Sequence, residues 1–197
     1  MKKSVQHAFA AAALLGLLGA AVPAHAAEIV IVDFQRVYAE STAGKDAQAK
    51  LKAIADGITR ELDPEVKALK AESDATWAPR FKDKTTDQVN AELNKDAALK
   101  AKYVTYAQRE NAFAQKQQVR RAELEATQQQ TIQAVLNAAE PDVRAAMAAK
   151  GAVVVLEKNN VAISAPAADV TLDVLSRFNN RVKTIDVKKV DLTQPQK

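Results

Sequence analysis

A mainly α-helical chain is predicted, with a long antiparallel coiled-coil hairpin standing on a small body that contains strands. Three observations predict it. Residues 58–150 hold no glycine and only Pro64, Pro79 and Pro141, in a segment dominated by Ala, Glu, Gln, Lys and Leu, which is helix composition. Apolar residues recur at steps of three and four on both sides of a proline-marked reversal, the pattern of two facing amphipathic helices. Short β-branched runs flank that helical section, Ile29 to Val32 before it and Ala152 to Leu156 after it, and these read as strands.

The first residues read as an address. Lys2 and Lys3 precede an uncharged stretch, Ala8 to Val22, which ends in Pro23 and Ala24-His25-Ala26. A basic start, an apolar run shorter than the roughly 20 residues of a spanning helix, and a small-residue cleavage pattern predict a signal peptide cleaved after Ala26. No cysteine follows the run to carry a lipid, and no second apolar run follows. A soluble exported product of 171 residues is expected.

Composition then excludes most chemistry. The two histidines, His7 and His25, leave with the signal peptide, and the sequence has no cysteine. Ser-His-Asp and Cys-His nucleophiles, Cys/His zinc sites, thiol redox work and disulfides are thereby excluded. A glycosidase built on two carboxylates passes this filter. Its acids would have to converge in a cleft, whereas here they are spread over surface-like helix faces, so no catalytic residue and no metal site are expected. The full chain has 28 basic and 24 acidic residues; without Lys2 and Lys3 the balance is 26 against 24. That is too mild to predict nucleic-acid binding. Residues 40–140 carry 16 of each sign, and the basic excess lies in the tail, at Arg181, Lys183, Lys188, Lys189 and Lys197 against Asp186 and Asp191.

Along the helical section, Ser41 and Thr42 are cap candidates for an outgoing arm with Ala47, Leu51, Ile54, Ile58, Leu62, Val66 and Leu69 in one stripe. Asp63-Pro64 interrupts it, and a kink or hinge is expected there. Trp77-Ala78-Pro79-Arg80-Phe81-Lys82-Asp83-Lys84 reads as the tip, where Arg80, Lys82 and Lys84 outnumber Asp83. A capping box at Thr85 to Gln88 starts the returning arm, whose stripe thins around Glu110, Gln117 and Arg120. An arm of about 35 residues would reach roughly 50 Å. Tyr103, Tyr106 and Phe113 are expected in the seam between the arms. Trp77 and Phe81 have two readings: contact with a bound chain, or a cap on the end of the helix pair.

The body is expected to hold a short helix from Pro141 to Gly151, a hairpin of Ala152–Leu156 with Val161–Ser164 around Asn159-Asn160, and a helix capped by Asp169 with Val170, Val174, Leu175 and Phe178 on one side. Three short strands make a small core, and a run like Ile29 to Val32 must be covered on both faces or left as an adhesive edge. Self-association is the favoured solution; coverage by local helices in a monomer is the other. The tail is either disordered or supplies Ile185, Val187 and Val190 to an edge strand.

These features together resemble the Skp/OmpH family of periplasmic chaperones. The resemblance is carried by Ile29-Val30-Ile31-Val32-Asp33 leading to Val37 and Ser41, and by Val153-Val154-Val155-Leu156, Val161-Ala162-Ile163, Asp169-Val170-Thr171 and Val174-Leu175. It spans roughly Ile29 to Phe178. It implies a homotrimer whose body is built by Ile29, Val30, Ile31, Val32, Val154, Leu156 and Ile163, with three hairpins enclosing a cavity for unfolded outer-membrane proteins. Holding without ATP and without any cofactor is implied, in agreement with the absence of a phosphate-binding glycine loop. The implied location is the periplasm. Balanced arm charge, Pro64, the segment 140–151 and residues 183–197 depart from the family pattern, and the first makes attraction to acidic lipid doubtful. The expected division is a signal peptide at 1–26, a body at 27–41 and 141–179, an arm at 42–140 with its tip near 77–86, and a tail at 180–197. The second function class is an envelope scaffold whose hairpin docks a folded partner.

Overall fold

A computed structural model describes residues 28–193; the expected signal peptide lies outside them. The chain runs β1 (Glu28–Val32), α1 (Phe34–Glu40), α2 (Thr42–Glu72), a π-helical turn (Ser73–Trp77), α3 (Ala78–Phe81), α4 (Thr86–Lys95), α5 (Ala97–Lys150), β2 (Ala152–Glu157), two 3-10 turns (Lys158–Asn160 and Pro166–Ala168) and α6 (Thr171–Arg181). Helices α2 and α5 pair as the hairpin. The 54 residues of α5 rise about 80 Å, so one helix serves both arm and body.

Local chemistry sets the helix ends. Ser41 caps α2 by accepting from the Gly44 amide, and the Thr85-Gln88 capping box opens α4. The returning arm is two helices rather than one. Asp96 leaves the helical region (φ −135°, ψ 103°), and its carboxylate accepts from the Ala98 and Leu99 amides to start α5. Gly151 ends α5 in the left-handed region at φ 67°, where glycine carries no Cβ penalty.

Neither proline breaks a helix, and the expected helix start at Pro141 is corrected. Helix α2 runs unbroken through Pro64, and Pro141 lies inside α5 instead of starting a helix. A proline forfeits one backbone hydrogen bond, and tertiary contacts on either side can carry a helix across that gap. Glu61 and Glu65 bracket Pro64 and are both paired across to α5. Beyond Pro141, Val143 and Ala146 are buried in the body core, and the buried Asp142 is bound by Arg181 from α6. The irregular turn of the outgoing arm comes instead at Ser73–Trp77.

The sheet has two strands, and β1 and β2 are parallel, with Ile29 opposite Val154 and Ile31 opposite Leu156. A parallel pair needs a crossover, and here the whole hairpin is that crossover. The other edge of β1 is met by the chain before α6, where the Val170 amide donates to the Ile31 carbonyl. The expected hairpin around Asn159-Asn160 is corrected: β2 pairs in parallel with β1, residues 158–160 coil into a 3-10 turn, and Val161–Ser164 is not strand. Ile163 follows it out of the sheet and is 93% exposed.

The body core gathers Val30 and Val32, Val37, Ala43 and Ala47, then Val135, Ala139, Val143 and Ala146 of α5, and Val170, Val174, Leu175 and Phe178 around α6. Val30 and Val32 are buried by this chain's own helices. Polar clamps hold α6 in place: Asn179 accepts from the Thr42 amide at 2.7 Å, Thr171 from the Asp33 amide at 2.9 Å, and Arg181 bridges to Asp142 at 2.6 Å.

Residues 182–193 form neither a strand nor a loose end. They run as an extended strap from the body down the arm. Asp46 accepts from the Thr184 hydroxyl and the Ile185 amide, Lys50 donates to the Ile185 carbonyl, Thr127 accepts from the Val190 amide and Glu123 from the Leu192 amide. Ile185 and Val187 lie against the body core.

Candidate functional site

Two surfaces at opposite ends of the arm are candidates. The first is at the base. Ile29, Val154 and Leu156 fall on one face of the sheet by alternation and register, and all three are exposed. Val153 on the opposite face is 63% exposed. It opens into a cavity of about 520 Å³ lined by Phe34, Leu136, Val143, Met147 and Val155. Of the expected body residues, Ile29, Val154 and Leu156 are thus brought together at the surface, Val30, Ile31 and Val32 are buried, and Ile163 stands apart. A short apolar strand with an unpaired edge is a pairing surface.

The second surface is the tip. Trp77 stacks on Phe81 with centroids 6.0 Å apart and meets Tyr103 edge-on at 5.2 Å; Tyr106, Leu69 and Phe113 continue the cluster along the arm. Trp77 is only 4% exposed, and its indole N–H donates to Glu72 at 3.3 Å. Of the two readings of the tip aromatics, the packing of Trp77 is that of a cap on the helix pair, its ring consumed by the tip's own core, while Phe81 is half-buried. The π-helical turn at Ser73–Trp77 carries the chain into this packing. Asp83, at φ 63°, makes the reversal, a conformation Asp tolerates better than most residues. The tip is also less positive than its composition predicts, because Arg80 and Lys84 both bind Glu92.

Between these ends the seam is ionic where its apolar stripe thins. Arg109 binds Glu72 at 2.6 Å, Lys116 binds Glu65 at 3.3 Å and Arg120 binds Glu61 at 3.0 Å. Each step along α2 is matched by an equal step back along α5, which fixes the antiparallel register. Tyr106 and Phe113 are buried in the seam as expected, while Val66 of the outgoing stripe stays exposed.

The residue that sequence reasoning missed is Glu123, wholly buried beneath the strap. Burial alone would raise its carboxyl, but Lys189, Arg120 and the Leu192 amide outweigh this and hold it below the ordinary range. The only hint in the sequence was the gap in the apolar stripe at Arg120. Two aspartates are also held low. Hydrogen bonds from Lys50, Thr184 and the Ile185 amide bring Asp46 from 3.8 to about 2. Asp169, raised by burial, is brought from 3.8 to about 2 by Lys158 and Thr171. A carboxyl lowered on folding stabilises fully above its unfolded value and loses that contribution as pH falls through its folded value. The thermal midpoint is therefore expected to hold steady above about pH 5 and to fall between pH 4 and 2. A melting series by circular dichroism checks this, and a midpoint that rises on acidification refutes it.

Comparison with known proteins turns this geometry into a family assignment. The family model described as outer membrane protein (OmpH-like) matches residues 28–178. This chain belongs to the OmpH-like family. No curated protein matches it. A solved structure described as an outer membrane chaperone (OmpH-like) from Caulobacter crescentus CB15 is similar to the OmpH-like chain at a TM-score of 0.67 and 27% identity, over 86% of this chain and 94% of that one. The matched region ends within α6, so the strap lies beyond it. Among the described residues no helix is long and apolar enough to cross a membrane.

Proposed function

We propose that this protein is an ATP-independent periplasmic holdase that keeps unfolded outer-membrane proteins from aggregating. Three copies join through their sheets, and the three hairpins enclose the client. The observation that carries this reading is the exposed apolar strand surface at the base, with Ile29, Val154 and Leu156 on one face and Val153 on the other, at the foot of a long ion-paired arm. Such a surface is self-complementary material for an oligomer, and membership of the OmpH-like family together with the chaperone description of the Caulobacter neighbour supports what the arms then do. Arms with many weak contacts tolerate clients of many sequences.

The body expected from sequence, 27–41 with 141–179, and the arm, 42–140, are the working division of this proposal. Export with loss of residues 1–26 places it in the periplasm. The decisive experiment dilutes a urea-unfolded β-barrel protein into buffer without nucleotide. Light scattering should be suppressed at about one trimer per client, and unchanged aggregation would remove the holdase reading. A pull-down yielding one stoichiometric folded partner and no unfolded client would favour the scaffold instead.

The oligomer has its own test. Replacing Val153 and Leu156 by Glu puts charge on both faces of β2, where burial at a subunit contact would strand it. The mass in solution is expected to fall from three chains to one with helix content retained. A wild-type chain that is already monomeric, or a double variant still trimeric, would sink the trimer.

A further inference from the structure

The strap reports on the surface it covers. Its three outward-reaching amides, on Ile185, Val190 and Leu192, donate to side chains of the arm, Asp46 at 3.1 Å, Thr127 at 2.9 Å and Glu123 at 3.3 Å. Lys50 supplies the complementary donor to the Ile185 carbonyl at 2.6 Å. Every one of these contacts reads main chain, which all peptides share. Val182, Ile185 and Val187 use apolar side chains against the core, the Thr184 hydroxyl donates to Asp46 and accepts from Lys50, and Lys189 adds an ion pair to Glu123 at 3.0 Å.

The floor of this channel is polar. Glu123, Thr127 and Thr131 repeat every fourth residue along α5 and are all buried. Thr127 uses its hydroxyl twice, donating to the Glu123 carbonyl and accepting from Val190. A permanent cover would be expected over an apolar floor, since burying polar groups gains little. A polar floor stays soluble when its cover leaves, as in interfaces that form and break. The strap also begins after residue 178, where the family-model match ends.

We propose that the channel along α2 and α5 is a receptor for extended peptide backbone, and that an extended client segment takes the strap's place in it. The occupant is a chain in which apolar residues alternate with polar ones and a Lys or Arg falls opposite Glu123. Alternation of this kind is what an unfolded β-barrel strand presents. The strap is then a built-in competitor, held close by its attachment to α6 and displaced by clients offering several such segments. This occupant rests on the holdase reading; the recognition of backbone does not.

The test uses the chain ended after Val182 and a synthetic peptide of residues 183–193. One peptide is expected to bind per truncated chain, with none binding the full chain. N-methylation at the Ile185, Val190 and Leu192 amides should weaken binding at least tenfold, whereas Asp186→Ser with Lys188→Ser should leave it within about twofold. An unfolded β-barrel protein should release the peptide. A folded truncated chain that ignores the peptide, or binds the methylated form equally, overturns the proposal. So does client capture without peptide release. Absence of any client capture, with methylation-sensitive peptide binding intact, removes the holdase reading and leaves the receptor.

Should truncation unfold the chain, the full chain with Thr127→Cys and Val190→Cys replaces it, in a sequence with no other cysteine. The oxidised, strap-locked form should capture client at least fivefold more weakly than the reduced form. Equal capture in both states overturns the proposal.

Discussion

Truncating Phe178 to alanine is expected to destabilise the body by about 3–5 kcal/mol, the range found when a buried aromatic ring is removed and the cavity cannot collapse. The ring is fully buried in the body core cluster, on a helix that packs against α5, α1 and β1. Refilling of the space is limited, because Ala43, Ala47, Ala139 and Ala146 of the same core cluster have side chains too short to extend into it. Arg181, whose guanidinium lies 5.9 Å from the ring centroid and which binds Asp142, would lose its support as well. Urea unfolding followed by circular dichroism measures the change. A loss below about 1 kcal/mol would mean that the core is not closed where Phe178 sits.

Gly44→Ala is expected to be nearly as damaging, although alanine is the better helix former. A Cβ at Gly44 would lie 1.8 Å from the Tyr38 carbonyl oxygen and 2.9 Å from the Ser41 hydroxyl that caps α2. The first contact is with backbone, so α1 must move or the cap must break. Overpacking of this kind typically costs about 1–3 kcal/mol, and loss of the cap adds roughly 1. Gly57→Ala is the control in the same helix. A Cβ there meets only the end of the Arg60 side chain at 4.0 Å, and a gain of roughly 0.5–1 kcal/mol is expected from helix propensity alone. Paired melts of the two variants should shift in opposite directions; a shift of the same sign in both would contradict the close approach of α1 to α2.

Periodicity made the hairpin legible, since the steps of three and four from Ala47 to Leu69 and the Thr85-Gln88 box depend only on local chemistry. The same holds for Gly151 and for the buried side of α6. What stayed hidden depended on contacts distant in sequence. Pro64 and Pro141 read as breaks because the pairs of Glu61, Glu65 and Asp142 with residues far along the chain cannot be seen from neighbours. The second strand's partner was misplaced for a related reason: Asn159-Asn160 suits a turn, but β2 finds its partner in β1, more than 100 residues away, and residues 158–160 coil into a 3-10 turn. At the tip, Trp77 was recognised as large and apolar near a reversal, yet its burial needed Tyr103 and Tyr106 from the returning arm. The strap was the least legible element, because its partners are the side chains of Asp46, Glu123 and Thr127 rather than another strand.

The matched steps of the ion pairs across the seam have a mechanical consequence. Individually, exposed pairs of this kind contribute little, about 0–1 kcal/mol each. Sliding α2 past α5 by one turn would misplace Arg109, Lys116 and Arg120 from their acids at once, whereas prying the two apart from the tip releases them one after another. The ion pairs thus resist axial slip together and separation only one at a time. Once the aromatic contacts at the tip yield, the arm would change its spread more readily than its length. Spin labels facing each other across the seam should show distance distributions that broaden steadily from base to tip, with no population displaced along the axis. A vessel built from such arms would vary in girth while keeping its depth.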